Sequence, residues 1–396
     1  MRKIGTAVIA AILMLLFVVY AFRNEIFQYS AENIIIDNLP PYVSVDRIIF
    51  DLKKRSMKVT GLRIDNPSGY ENDHFAEIGN ITCEYEMRGK TILEGIEVTS
   101  IKAKNAVINI ERLPNGRVNI NEMDRVMNGE KREAIPSQKP ASKGKPGRKN
   151  GEYPIYKLIT LTDTVYVNNG KVVFLDKWVR PSSSYELTFE NINGNIVMDL
   201  SEDYKTVIAV QSQGSGNVNG AQDQIVNWKI FLDPREKNLT MSNRYELDNV
   251  DITLFKPYYD QFSPIYIQRG WCSGTLVFDF DDGNIGSTNT LRIRDLKFQE
   301  QTESKGTQLW NVTISDLIKY LRSSSGEVVV DFKIKGDMKN PQFYPGPVLS
   351  SAIQSMAVNK IAELLSQPGD TGSAQGQAGL SESDALMNSL QQLLKK

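Results

Sequence analysis

Apolar and polar residues alternate along several segments between residues 154 and 343 of this 396-residue chain. Successive side chains of a β-strand point to opposite faces, so this alternation predicts strands with one apolar face and one polar face. Helical patterns are few, and we therefore expect a mainly β fold. Ten apolar positions on three of these segments form the candidate lining of a groove: Val226, Trp228, Ile230, Leu276, Phe278, Phe280, Val328, Val330, Phe332 and Ile334.

Strands with one apolar face need a cover, and the sequence offers few helices to supply it. Two arrangements satisfy the pattern. Two sheets can close on each other as a sandwich, or one long curved sheet can leave an apolar trough. Exposed apolar patches are typical of binding sites for lipid or protein. The alternation by itself slightly favours the sandwich and leaves the trough open.

The N-terminus carries an unbroken apolar run from Ile4 to Phe22, directly after Arg2 and Lys3. At ~1.5 Å per residue this run spans roughly 28 Å, close to the ~30 Å hydrocarbon core of a bilayer. Basic residues flanking a span stay cytoplasmic. Residues 1–22 therefore predict a cytoplasmic stub and a single transmembrane anchor, with the bulk of the chain on the far side. A cleaved signal peptide is the alternative, although its apolar core is usually only ~7–15 residues long.

Composition divides the rest of the chain into five segments. Strand-like segments dominate two of them, and a basic stretch rich in Pro, Ser and Gly, which cannot bury a core, separates these two. The segments are a β region at 23–127, a disordered basic linker at 128–153, a second β region at 154–346, a helix at 347–366, and a flexible linker with a short amphipathic helix at 367–396.

The sequence offers little for catalysis or metal binding. The net charge of −1 excludes the broad basic footprint that nucleic-acid binding requires. The single histidine, His74, stands in a polar stretch and is expected to be a solvated loop residue. Cys83 and Cys272 are far apart, and two free buried thiols are favoured over a disulfide. We therefore predict no catalytic residue, no metal and no cofactor.

Two turn signals stand out among the strand segments. Asp282-Gly283 follows an acidic strand end and is better explained as a hairpin turn than as part of a calcium loop. Asn115-Gly116 lies between Ile108-Asn109-Ile110 and Val118-Asn119-Ile120, which predicts a second hairpin.

Two stretches resemble a known family. The first contains Asn66-Pro67-Ser68-Gly69 and Asn115-Gly116-Arg117-Val118-Asn119, and the second runs from Gly336 to Phe343. They resemble the N-terminal and C-terminal regions of AsmA-like envelope proteins, the superfamily that includes TamB. The basic linker and the short length depart from the family. The positions that carry the resemblance are Asn66, Pro67, Gly69, Gly116, Asn119, Gly336, Asp337, Pro341 and Phe343.

The resemblance implies a fold and a function. The fold would be an anchor in the inner membrane, a curved and largely antiparallel β-sheet with an apolar groove in the periplasm, and a C-terminal helix. The function would be to bind or convey phospholipid acyl chains for maintenance of the outer membrane. The alternative is a non-catalytic scaffold or assembly factor that contacts outer-membrane or periplasmic proteins. Neither interpretation involves nucleic acid.

Overall fold

The computed structural model is mainly β, as the alternation predicts. It describes residues 39–51, 53–87, 96–123, 159–160, 164–180, 184–200, 207–233, 240–259, 265–300, 308–309, 312–338 and 340–366, together with the single positions 32, 36, 235 and 238. The chain divides into two compact units, Met1–Val207 and Ile208–Lys396. The predicted anchor at 1–22, the basic linker at 128–153 and the segment at 367–396 lie outside the described residues.

The first unit contains a mixed sheet. Its strands follow the order β1-β3-β4-β5-β7-β8, with β2 paired to β3 and β6 paired to β5. Strand β5 runs parallel to β6 and β7, and the other strand pairs described in this unit are antiparallel. The strands are β1 (Val43–Ser44), β2 (Arg47–Asp51), β3 (Ser56–Asp65), β4 (His74–Met87), β5 (Ile96–Arg112), β6 (Ile159–Thr160), β7 (Thr164–Asp176) and β8 (Tyr185–Leu200).

The second unit contains an antiparallel sheet and the helices α1 to α3. Strands β9 to β12 follow one another in space, β14 pairs with β12 and β17, and β18 pairs with β17. Strand β13 joins both β12 and β17, whereas β15 and β16 form their own short ladder. The elements are β9 (Val207–Val218), β10 (Ile225–Asp233), β11 (Thr240–Asp251), α1 (Lys256–Tyr259), β12 (Ile265–Asp281), β13 (Asn284–Ser287), β14 (Asn289–Glu300), β15 (Gln308–Leu309), β16 (Val312–Thr313), α2 (Ile314–Leu321), β17 (Val328–Asp337), β18 (Gln342–Pro345) and α3 (Pro347–Ser366).

The unit boundary differs from the segment boundaries drawn from composition. Strands β7 and β8 fall in the segment predicted to begin a second β region at residue 154, yet β7 pairs in parallel with β5 over Ile101–Arg112. The division into compact units comes at Val207. The helix predicted at 347–366 is present as α3.

One predicted hairpin is confirmed and the other is only half formed. Asp282 and Gly283 both adopt positive φ, 47° and 81°, which matches a tight turn between β12 and β13. Gly116 also has a positive φ of 83°. The segment after it makes only one bridge, between Arg112 and Val118, and then enters a short 3₁₀ helix at Asn119–Glu122. The prediction of a second hairpin strand after Gly116 was therefore wrong.

Several strands carry residues in left-handed conformation that no turn requires. Asn105, Asn169, Asn191 and Asn249 have φ between 53° and 56° within β5, β7, β8 and β11. Asparagine tolerates this conformation better than other side chains that bear a Cβ. The Asn169 amide donates to Asn105 Oδ1 at 2.8 Å, which links two of these positions across β5 and β7. Register shifts accompany several of them, and such bulges bend the strand locally.

In the described part of the chain, no helix combines the length and the apolar character needed to cross a membrane.

Candidate apolar binding face

The register of the second unit brings all ten candidate groove residues to one face of the sheet. Residues directly opposite each other on paired strands point to the same side. Trp228 on β10 lies opposite Tyr245 on β11, which lies opposite Leu276 on β12. In the same way, Gly274 on β12 lies opposite Leu291 on β14, which in turn lies opposite Val330. We call this side the apolar face.

The opposite side of the same strands is more polar, although Phe231 of β10 lies on it and is 40% exposed. Asn227 and Lys229 alternate with the candidate residues of β10 and are exposed. They lie opposite Glu246 and Arg244 of β11, which form a salt bridge at 3.1 Å. A shift of one residue in register would move the whole apolar set to the opposite side of the sheet. The alternation therefore fixes the pairing of these strands.

Helices α2 and α3 cover one end of the apolar face. Asp331 accepts hydrogen bonds from the backbone N–H groups of Val348 and Leu349, at 3.0 and 2.8 Å, and so caps the first turn of α3. Pro347 suits the first helical position because its missing N–H would be unpaired there. The helices bury a cluster made of Ile265, Leu296, Leu317, Ile318, Leu321, Val328, Leu349, Ala352, Ile353 and Met356.

Two of the ten candidate residues belong to this covered end. Val328 is only 1% exposed and lies inside the cluster, and Val330 packs against it. They are part of a helix-on-sheet core. Phe332, further along β17, stacks on Phe343 of β18 with ring centroids 5.4 Å apart.

The middle of the apolar face has no such cover within the described residues. Val226 is buried, but Trp228, Ile230, Leu276, Phe278 and Phe280 remain partly exposed. The helix cluster contains none of them. The residues opposite them on β11 continue the surface, with Met241 and Tyr245 also partly exposed. The result is a strip of aromatic and aliphatic side chains across β10, β11 and β12.

A line in which polar and apolar side chains alternate crosses this strip. Ser212, Ile230, Asn243, Phe278 and Ser287 lie opposite one another on β9 to β13, so polar and apolar side chains alternate across the strands. We call this line the polar row. The sequence did not predict it, because Ser212, Asn243 and Ser287 belong to three different strands and only strand pairing brings them into one line.

In the first unit, Asn66 and Asn119, two of the residues that carry the resemblance, belong to a buried polar cluster. Asn119 is fully buried, and its amide donates to Asn66 Oδ1 at 3.0 Å and to the Asn109 carbonyl at 2.7 Å. Asn119 Oδ1 accepts from the backbone N–H groups of Glu111 and Ile120. Asn66 in turn donates to the carbonyl of Asn72. These bonds hold the loop after β3 against the end of β5.

The remaining motif residues are separate from that cluster. Pro67 is buried beside Asn66, whereas Gly69 and Gly116 occupy turns at positive φ. The C-terminal motif lies at the edge formed by β17 and β18. Gly336 has a φ of 105°, and the side chains of Asp337, Pro341 and Phe343 are exposed there.

Glu111, which was not predicted to be a site residue, makes several polar contacts in the first unit. Its side chain is fully buried, and it accepts from the backbone N–H of Glu71 at 2.7 Å and from Lys177 Nζ at 2.8 Å. Lys177 also contacts Glu71 at 3.0 Å. The hydrogen bonds to Glu111 and Glu71 raise the pKa of Lys177. Through these contacts Glu111 links the end of β5 to Lys177, directly after β7, and to the loop before β4.

The other residues tested for chemistry lie apart from each other. His74 begins β4, and its Nδ1 stands 3.3 Å from Asp65 Oδ1, so its placement in a loop was wrong. Both cysteines are free and buried, and burial raises the pKa of each thiol to about 11. Asp279 and Asp282 accept hydrogen bonds from Ser242 and Asn238. Among the described residues, no group of three His, Cys, Asp or Glu could hold a metal ion.

A comparison with models of known protein families finds no match to this chain, and a comparison with curated proteins finds none either.

Proposed function

We propose that the apolar face of the second unit binds the acyl chains of phospholipid. The observation that carries this proposal is the strip of partly exposed Trp228, Ile230, Leu276, Phe278 and Phe280 on a single sheet face. Leaving apolar surface in water costs about 25 cal/mol per Å². An acyl chain laid across the strip removes that contact with water and needs no polar partner along most of its length.

Three features support an acyl chain as the occupant. The face is a sheet surface several strands wide, which suits a long flexible chain. Its far side carries charged, solvated residues, so binding is restricted to one side of the sheet. The bulges of β11 and β12 bend those strands, and a bent sheet can form a trough.

We further propose that the protein acts in the cell envelope, held in the inner membrane by residues 4–22 with its bulk in the periplasm. The support is the basic-then-apolar N-terminal sequence and the resemblance to AsmA-like proteins. A reporter enzyme fused after Lys396 tests this topology. The reporter should be active only outside the cytoplasm, and cytoplasmic activity would remove the basis for an envelope role.

A second candidate function is a scaffold for outer-membrane or periplasmic proteins. One observation favours it. Phe343 is 55% exposed and Met338 is 48% exposed beside β18, a short strand paired to β17. Exposed strand edges with apolar side chains can add a strand from another protein.

Binding of a fluorescent fatty acid to the purified full-length protein separates these candidates. We expect saturable binding by the wild type and a clear loss of binding in Phe278→Asp. Asn227→Asp, which places the same charge on the polar side of β10, should bind like the wild type. Lipid recovered by mass spectrometry from the detergent-extracted protein should include phospholipid. A wild-type protein that yields no lipid and binds no fatty acid would favour the scaffold.

A further inference from the structure

Asn243 occupies an unusual position for an amide. It lies in the middle of β11 on the apolar face, between Ile230 of β10 and Phe278 of β12. The residue is only 3% exposed, and its buried Oδ1 has no hydrogen-bond partner among the described residues. Buried polar groups nearly always have a partner, so each exception calls for an explanation.

The other polar side chains on or beside the polar row are paired. Ser212 accepts from Trp228 Nε1 at 3.1 Å. Ser287 accepts from the Asn289 amide at 2.9 Å and from the backbone N–H of Ile334 at 2.7 Å. Asn289 Oδ1 accepts from the backbone N–H of Val277 at 3.0 Å. These groups stabilise the sheet itself, whereas Asn243 Oδ1 contributes nothing of this kind.

An apolar residue would stabilise this position better than asparagine does. A buried amide without a partner is destabilising, and a leucine of similar size would pack against Ile230 and Phe278. A ligand that donates a hydrogen bond would supply the missing partner. The neighbours Ile230 and Phe278 are themselves partly exposed, so a chain that packs on them lies beside the amide, and its polar group reaches Oδ1 when the side chains that cover Asn243 move aside.

We propose that Asn243 selects acyl chains that carry a hydroxyl group along their length. This inference rests on the proposed binding of acyl chains and names their chemical class. A hydroxyl can both donate and accept, so it satisfies the amide whichever way the amide is turned. A charged group would lose its hydration among these aromatic and aliphatic side chains, which excludes a headgroup as the partner.

Competition against a fluorescent fatty acid tests the proposal on the full-length protein. The competitors are stearic acid, 3-hydroxystearic acid and 12-hydroxystearic acid, which place the hydroxyl near the headgroup or in the middle of the chain. A net hydrogen bond predicts that the wild type prefers at least one hydroxylated acid over stearic acid by about three- to tenfold. Asn243→Leu should bind stearic acid at least as well as the wild type and should lose the preference. Asn227→Leu, the control on the polar side of β10, should keep it.

The outcomes separate this inference from the function on which it rests. If the wild type binds none of the three acids, the proposed function fails. If it binds stearic acid and both hydroxylated acids equally, acyl binding stands and the role of Asn243 is refuted. If Asn243→Leu keeps the wild-type preference, the hydroxyl is recognised elsewhere and the proposal is again refuted.

Discussion

Aspartate introduced at two positions of the apolar face should have very different effects on stability. Val328 lies under helices α2 and α3 at 1% exposure, whereas Phe278 lies on the part of the face that the described residues leave uncovered. We therefore compare Val328→Asp with Phe278→Asp. Each variant places one carboxylate on the same side of the same sheet.

The covered site should be much less tolerant. An unpaired carboxylate buried at position 328 costs several kcal/mol, roughly 4 kcal/mol or more. Domains of this size lose about 2–4 °C in Tm per kcal/mol, so Val328→Asp should lower Tm by about 8–16 °C or abolish cooperative melting. At position 278 the carboxylate can stay hydrated, and the loss of one partly exposed ring should cost about 1–2 kcal/mol.

Intrinsic tryptophan fluorescence is a suitable probe, because three of the four tryptophans of the chain fall within the range of the second unit. Val328→Ala serves as a control for lost volume and should cost only about 2 kcal/mol. Equal and large losses in Val328→Asp and Phe278→Asp would mean that the strip is a sealed core. That result would refute the assignment of an open binding face.

Three further predictions concern the packing of each unit. Glu111→Leu should destabilise the protein by about 3–5 kcal/mol in denaturant titrations, because the backbone N–H of Glu71 loses its acceptor and Lys177 keeps only the exposed Glu71 as a partner, whereas Glu84→Leu at an exposed salt bridge should change little. Gly274→Ala should disrupt the pairing of β12 with β14, since a Cβ there would collide with a backbone carbonyl, while Gly286→Ala has open space and should melt like the wild type. Both buried thiols should react slowly with a thiol reagent at pH 8, and because their pKa is about 11 when folded against 9.0 as the reference, stability should fall as the pH rises above about 9. Fast labelling of the native protein or stability that is constant to pH 11 would contradict the last of these.

The sequence predicted the local features well because their signals are local. The alternation of Val226, Trp228 and Ile230 follows directly from the pleat of β10, and the register then places these residues on one face. The turn at Asp282-Gly283 needs only two residues that tolerate positive φ. The helix at 347–366 has its own apolar periodicity and a proline at its first position.

Features that depend on contacts between residues far apart in the chain could not be predicted from the sequence. Asn119 looked like part of a strand, but its amide bonds to Asn66, 53 residues earlier in the chain, and a 3₁₀ turn presents it there. Val328 and Phe278 have the same alternating pattern, and only the packing of α2 and α3 separates the covered position from the uncovered one. The apolar periodicity of a strand does not show whether helices will pack over it.

We propose that acyl chains contact one side of the second unit's sheet. A photoreactive phenylalanine analogue at position 278, on the apolar face, and another at Asn227, on the polar side, test it in living cells. After illumination, mass spectrometry of the purified protein measures covalently attached lipid. We predict lipid adducts at position 278 and none at position 227. Adducts of equal yield at both positions, or adducts at position 278 that contain only protein, would contradict the account.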